Sequence, residues 1–203
     1  MSDQRVAYNK IKKGIYPAFT PLGKLLVRLK IHPETFTIGG GIASMGVLYF
    51  YATRSLFLAG IAIIITELCD ILDGQLARYA HSSTRFGAFI DATTDRYGEG
   101  LIYLGLLMYF WQQSLLVALF VLIAFFGSFL VSYTRARAES EGFECVYGFM
   151  KRKVRMALLS ATTIIAAFVP EGEAILGISI IVLALLCHFT AFQRILYVHA
   201  QVK

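Results

Sequence analysis

Charge is scarce in this chain: 16% of its 203 residues are Asp, Glu, Lys or Arg, while 57% are hydrophobic. That balance excludes an ordinary soluble domain and points to an integral membrane protein of one domain. Cysteine is rare too. The three present, Cys69, Cys145 and Cys187, form no CxxC pair, which excludes a disulfide framework or thiolate metal site and leaves reduced packing residues. His81 and His188 lack a partner pattern and read as a turn residue and a packing residue. No internal repeat or low-complexity linker is evident. The opening MSDQRVAYNKIKKGIY has neither an apolar core of signal-peptide length nor a small-residue cleavage site, so no cleaved targeting segment is expected.

What the chain does have is long apolar runs. Hydropathy places spans at about 36–52, 56–79, 86–111, 115–134, 155–170 and 174–193, which predicts an all-α integral membrane protein with six transmembrane helices over residues 35–203. Residues 1–34 form a separate cytoplasmic or interfacial segment. In it Leu22, Leu25, Leu26 and Leu29 recur at helical spacing with Lys24, Arg28 and Lys30 between them, an amphipathic juxtamembrane helix ended by Pro33. Lys and Arg collect on one side of the spans, from Lys10 and Lys24 through Arg85 and Arg137 to Lys153 and Lys203, whereas the opposite turns carry only Arg54. The positive-inside rule then puts both termini in the cytoplasm, in the plasma membrane if the source is prokaryotic. The net charge of +6 serves that orientation and contact with membrane lipid, and no nucleic-acid partner is expected. Tyr109, Phe110 and Trp111 read as an interfacial aromatic belt, and Gly39, Gly40 and Gly41 as close helix packing.

Against this background the acids stand out. Asp70, Asp73, Asp91 and Asp95 lie inside the second and third spans, where each costs roughly 2.5–3.5 kcal/mol near the bilayer centre. The two spans meet at a polar turn, His81 to Thr84, as an antiparallel hairpin. Counting from its tip at 1.5 Å per residue puts Asp73 level with Asp91 at about 14 Å and Asp70 level with Asp95 at about 19 Å. Asp70, Asp73, Gly74, Ala77 and Arg78 share one face of the second helix, and Gly87, Asp91, Asp95 and Glu99 make a stripe on the third. Four converging carboxylates repel one another unless they are protonated or bind metal. Hard oxygen ligands suit Mg²⁺ or Mn²⁺, and two such ions can bridge a phosphate. Arg78 is placed to hold a phosphate oxygen.

These residues spell DxxDGxxAR, eight intervening residues, then GxxxDxxxD, from Asp70 to Asp95. The pattern resembles the CDP-alcohol phosphatidyltransferase family. That resemblance implies a six-helix membrane enzyme, usually a homodimer, that moves a phosphatidyl or related group from a CDP-linked lipid to an alcohol and releases CMP. It further implies that Asp70, Asp73, Asp91 and Asp95 bind two divalent ions, Mg²⁺ or Mn²⁺, and that Asp95 is the catalytic base. Gly74, Ala77 and Gly87 would line the cytidine pocket, Arg78 would hold the diphosphate, and Pro33 and Thr37 would lie on the nucleotide side.

A second basic constellation bears on the alcohol. Arg135 closes the fourth span, Arg152 and Arg155 share a face as the fifth begins, and Arg194 ends the sixth. Together they suit a polar, anionic acceptor. These segments, with the DATTDR form around Asp91 and Asp95, are similar to the branch of the family that makes phosphatidylinositol phosphate or its archaeal ether-lipid counterpart, which implies inositol phosphate. That branch tends to have Glu before each arginine of the loop motif, where this chain has Lys151 and Val154, so glycerol 3-phosphate stays as the alternative acceptor. A cation transporter is the rival of another class, since acids inside a membrane also mark ion paths. It predicts acids spread over several spans, and here they are gathered in one hairpin.

Overall fold

The structure is a computed structural model that describes residues 33–79, 84–145 and 147–202. The amphipathic segment lies outside the described residues apart from its last two positions. Six helices stand among those described: α1 (Pro33–Ala52), α2 (Leu56–Tyr79), α3 (Arg85–Phe110), α4 (Leu115–Ser140), α5 (Arg152–Ala166) and α6 (Gly172–Val202).

Their ends follow from local chemistry. Thr84 caps α3 by accepting the Gly87 N–H at 2.9 Å, and Ser114 caps α4 by accepting the Val117 N–H at 3.4 Å. Hydropathy ends α4 at 134 and α6 at 193, yet the helices run on to Ser140 and Val202. An apolar run measures the membrane and not the helix. Beyond Thr134, α4 is held by the i,i+4 ion pairs Arg135–Glu139 and Arg137–Glu141. By length and composition α1, α4 and α6 can cross a bilayer. Helices α2 and α3 are long enough, at 24 and 26 residues, but are interrupted by the acids. The 15 residues of α5 reach only about 22 Å, short of a core of about 30 Å.

The helices close a ring. α1 packs on α2 and α3, α2 on α5, α5 on α6, α6 on α4, and α4 on α3. The expected hairpin is therefore opened: among the described residues α2 and α3 share little backbone contact, and α1 lies against both. Small residues allow the close approaches, because in lipid helices are held mainly by packing. A Cβ on Gly105 of α3 would fall 3.0 Å from the Leu48 Cα of α1, and one on Gly60 of α2 only 2.4 Å from the Ile164 Cγ1 of α5. Gly39 and Gly40 face Cys69 of α2 as packing residues, whereas Gly41 meets nothing within 4 Å.

The interior is filled by Val47, Tyr51, Ile63, Leu106, Leu159 and Leu183, all fully buried, and the Tyr51 hydroxyl pairs with Thr163 at 2.6 Å. Large apolar side chains face outward from every helix, among them Met45, Phe57, Phe89, Phe126, Ile165 and Phe192. Such a surface suits lipid. The aromatic belt needs correction: Trp111 is exposed, but Tyr109 and Phe110 are buried, and the Tyr109 hydroxyl donates to Glu173 at 2.9 Å. All three cysteines are free, and His188 Nε2 lies 3.1 Å from the Ile123 carbonyl, joining α6 to α4.

Candidate active site

One carboxylate oxygen each from Asp70 of α2 and from Asp91 and Asp95 of α3 lie within 4.8 Å of one another. Asp91 is exposed, while Asp70 and Asp95 are half-buried. Asp73 is turned differently, its Oδ2 accepting the Thr37 hydroxyl of α1 at 2.5 Å. Thus α1, wedged against both acidic helices, orients one acid directly. Gly74 is half-buried beside Asp73 and Gly87 is exposed at the start of α3. Pro33, Ala77 and Arg78 stand on α1 and α2, but their side chains lie outside those described.

The acids meet a cation that the sequence places on the acceptor side. The Arg152 guanidinium lies 3.0 Å from Asp95 Oδ1, 3.4 Å from Asp70 Oδ2 and 3.2 Å from Glu67 Oε1. Burial disfavours its charge, and the carboxylates of Glu67, Asp95 and Asp70 around it offset that cost. Glu67 was not among the predicted site residues. Its signal was available: it precedes Asp70 by three residues and so shares its helix face. Lys153 Nζ lies 3.8 Å from Asp70 but is 59% exposed, so little Coulombic stabilisation is expected from it.

The donor set fits a hard divalent cation. Three converging carboxylates supply oxygen ligands of the kind Mg²⁺ and Mn²⁺ prefer. In addition, Arg152 Nε is buried without a hydrogen-bond partner and Glu67 Oε1 has only its ion pair with Arg152, so the polar centre is incompletely satisfied by the protein alone.

The other three arginines differ among themselves. Arg135 is half-exposed and paired with Glu139 at 2.8 Å on its own helix. Arg194 is 3% exposed; its Nε donates to the Tyr147 carbonyl at 2.9 Å and its NH1 to that of Val131, which ties the loop before α5 to α4 and α6. Gly148 makes this possible, with φ of 105° and a position where a Cβ would fall 2.7 Å from Thr190 Cγ2. Arg155 is fully buried. Its Nε and NH2 donate to Glu99 Oε1 at 3.0 and 2.7 Å, and its NH1 donates to the Met150 carbonyl at 2.8 Å. An i,i+3 relation to Arg152 gave no warning of this, because depth within the ring separates the two.

The family model for CDP-alcohol phosphatidyltransferase matches residues 30–192. An archaetidylinositol phosphate synthase of Methanothermobacter thermautotrophicus is 32% identical over 176 residues, covering 87% of each chain. A phosphatidylinositol phosphate synthase of Mycobacteroides abscessus is 37% identical over 149 residues, covering 71% of this chain and 67% of that one. Among solved structures, the phosphatidylinositol phosphate synthase of Mycobacterium tuberculosis with CDP-DAG bound superposes with a TM-score of 0.79 at 31% identity, covering 88% of this chain and 92% of that one. The same enzyme in complex with manganese and citrate gives a TM-score of 0.78 at 31% identity, covering 88% of both. With its apolar helices and converging acids, this chain belongs to the CDP-alcohol phosphatidyltransferase family and is an integral membrane transferase.

Proposed function

We propose that this protein transfers the phosphatidyl group, or its ether-lipid equivalent, from a CDP-linked lipid to inositol phosphate and releases CMP. The observation that carries the reading is the meeting of Asp70, Asp91 and Asp95 within 4.8 Å with Arg152 spanning Asp70 and Asp95. It brings the acids expected for the nucleotide lipid against the cation expected for an anionic acceptor. The relatives named phosphatidylinositol and archaetidylinositol phosphate synthases support inositol phosphate as that acceptor.

In this reading Asp70, Asp73, Asp91 and Asp95 hold two divalent ions, with Thr37 fixing Asp73. When bound, Mg²⁺ or Mn²⁺ supplies charge neutralisation at the diphosphate and at the leaving oxygen. Arg78 holds a diphosphate oxygen, while Gly74, Ala77 and Gly87 leave room for the cytidine, with Pro33 beside it. Asp95 takes the proton of the acceptor hydroxyl. The hydroxyl oxygen attacks the lipid-side phosphorus, the bond from that phosphorus to the bridging oxygen breaks, and CMP leaves with that oxygen. Such a displacement depends on alignment and charge rather than on covalent help from the protein. Arg135, Arg152 and Arg194 surround the acceptor phosphate, and Arg155 supports them from below. The domain works as a six-helix membrane bundle over residues 35–203, in which α5 need not cross the whole bilayer, in a homodimer, with the site and both termini on the cytoplasmic side and residues 1–34 resting on anionic lipid.

The test is CMP release by purified protein with CDP-diacylglycerol and Mg²⁺ or Mn²⁺, across inositol phosphate, glycerol 3-phosphate, inositol and serine. Release with inositol phosphate alone is expected. Release with glycerol 3-phosphate alone overturns the acceptor, and silence with every acceptor and both metals overturns the reaction.

A further inference from the structure

Glu99 lies one turn below Asp95 on α3 and is 3% exposed. Four donor groups from three helices end on its carboxylate. Oε1 accepts Arg155 Nε and NH2 of α5 and the Ser128 hydroxyl of α4, and Oε2 accepts Arg96 NH1 of α3 itself at 2.9 Å. The same Arg96 nitrogen also donates to Ser132 of α4, at 2.5 Å. Since α3 and α5 are not neighbours around the ring, these side chains cross its interior and connect them.

The connection lies directly beneath the reacting groups. Asp95 and Glu99 are i,i+4 on α3, and Arg152 and Arg155 are i,i+3 on α5, so the two helices are joined by two rungs. The upper rung is Asp95–Arg152 at 3.0 Å and the lower is Glu99–Arg155 at 2.7 Å. The start of α5 has no side-chain cap, because Lys151 stands at the N-cap without a capping hydrogen bond. Arg155 does not cap the N–H groups there, but it ties the preceding loop to this turn by donating to the Met150 carbonyl while it is held by Glu99. The turn that carries Arg152 is thus linked to Glu99 through Arg155. A buried ion pair contributes little net stability compared with apolar packing of the same volume. Placement of the upper rung gives this one a purpose that stability does not.

We infer that Glu99 is a positioning residue for the acceptor side of the site: through Arg155 it sets the first turn of α5 and thereby the reach of Arg152. The inference rests on the reading that Arg152 holds the acceptor phosphate. It concerns a carboxylate outside the Asp70–Asp91–Asp95 cluster, and it predicts a separation that general structural damage does not produce.

The experiment is steady-state CMP release in detergent by the full chain with Mg²⁺, titrating inositol phosphate and CDP-diacylglycerol separately. Wild type is compared with Glu99→Gln, Arg152→Lys and the double variant. Glu99→Gln is expected to raise the KM for inositol phosphate about tenfold while that for CDP-diacylglycerol stays within about twofold, and the Arg152→Lys penalty is expected to shrink in the Glu99→Gln background. Equal movement of both KM values, no movement, or penalties that simply multiply overturn the inference. Should Glu99→Gln fail to fold, Ser128→Ala removes one donor and leaves the ion pair; it is expected to raise the inositol phosphate KM about threefold, and an unchanged ratio of the two KM values overturns the inference. A wild type that is silent with inositol phosphate overturns the acceptor reading and this inference with it. An active wild type with an indifferent Glu99→Gln overturns the inference alone.

Discussion

The two rungs between α3 and α5 use the same chemistry, a carboxylate against a guanidinium, in different surroundings. In the upper one Asp95 and Arg152 keep 21% and 12% of their side chains exposed and share partners with Asp70 and Glu67. In the lower one Glu99 and Arg155 keep 3% and 0%, and every guanidinium nitrogen of Arg155 has a fixed acceptor. The upper arginine has carboxylates on several sides and an Nε without a hydrogen bond. One with all its nitrogens engaged by buried groups is a strut. Position in the ring, rather than residue type, separates the partly exposed, multiply paired arginine from the buried, fixed one.

Removing an acid of the upper cluster should have the largest effect. Asp91→Asn removes the charge and one of two ligand oxygens from the cluster without adding volume, and we expect turnover to fall by about a thousandfold or more, in CMP-release assays, with the elution profile in detergent unchanged. Near-normal activity contradicts the role given to the acids. Chelation with EDTA is expected to abolish release in the wild type and Mg²⁺ or Mn²⁺ to restore it; activity that survives chelation contradicts the metal reading.

A lesser effect, on stability, separates the rungs. Arg155→Met leaves Glu99 buried with one cation fewer and is expected to cost about 3 kcal/mol, read as a lowered unfolding midpoint in detergent. Arg152→Met removes a cation from groups that water reaches, so its midpoint is expected to move less while its acceptor KM rises. The reverse order of the two midpoints contradicts the comparison. Smallest of all should be Lys153→Gln, whose ion pair with Asp70 spans 3.8 Å at the surface; we expect a midpoint shift equivalent to under about 1 kcal/mol.

Much of this was legible in the sequence. Six apolar runs located six helices, and the spacing of DxxDGxxAR and GxxxDxxxD brought Asp70 level with Asp95, as Arg152 spanning the two now reflects. What escaped was whatever depended on depth or on a third element. Hydropathy could not show that α1 rests on both acidic helices, so the Thr37–Asp73 hydrogen bond was hidden. Helical spacing put Arg152 and Arg155 on one face but could not tell that one turn takes the side chain from the site into the interior. Glu99 was visible as the end of the acidic stripe, yet its partners on α4 and α5 lie 29 and 56 positions away in the chain, beyond any periodicity. Tyr109 and Phe110 depart from the sequence expectation for a similar reason: an aromatic near a helix end suits a membrane interface, and only the fold shows that α1 and α6 cover that end.

In the proposed reaction the acids and Arg152 join a nucleotide lipid to an anionic alcohol. Its most direct measurement is the joint appearance of products when purified protein is given CDP-diacylglycerol, Mg²⁺ and inositol phosphate, with CMP and lipid product both quantified by mass spectrometry. Phosphatidylinositol phosphate and CMP formed in equal amounts, in wild type and not in Asp91→Asn, is the predicted result. CMP appearing without the phosphorylated lipid, or both products persisting in the variant, contradicts it.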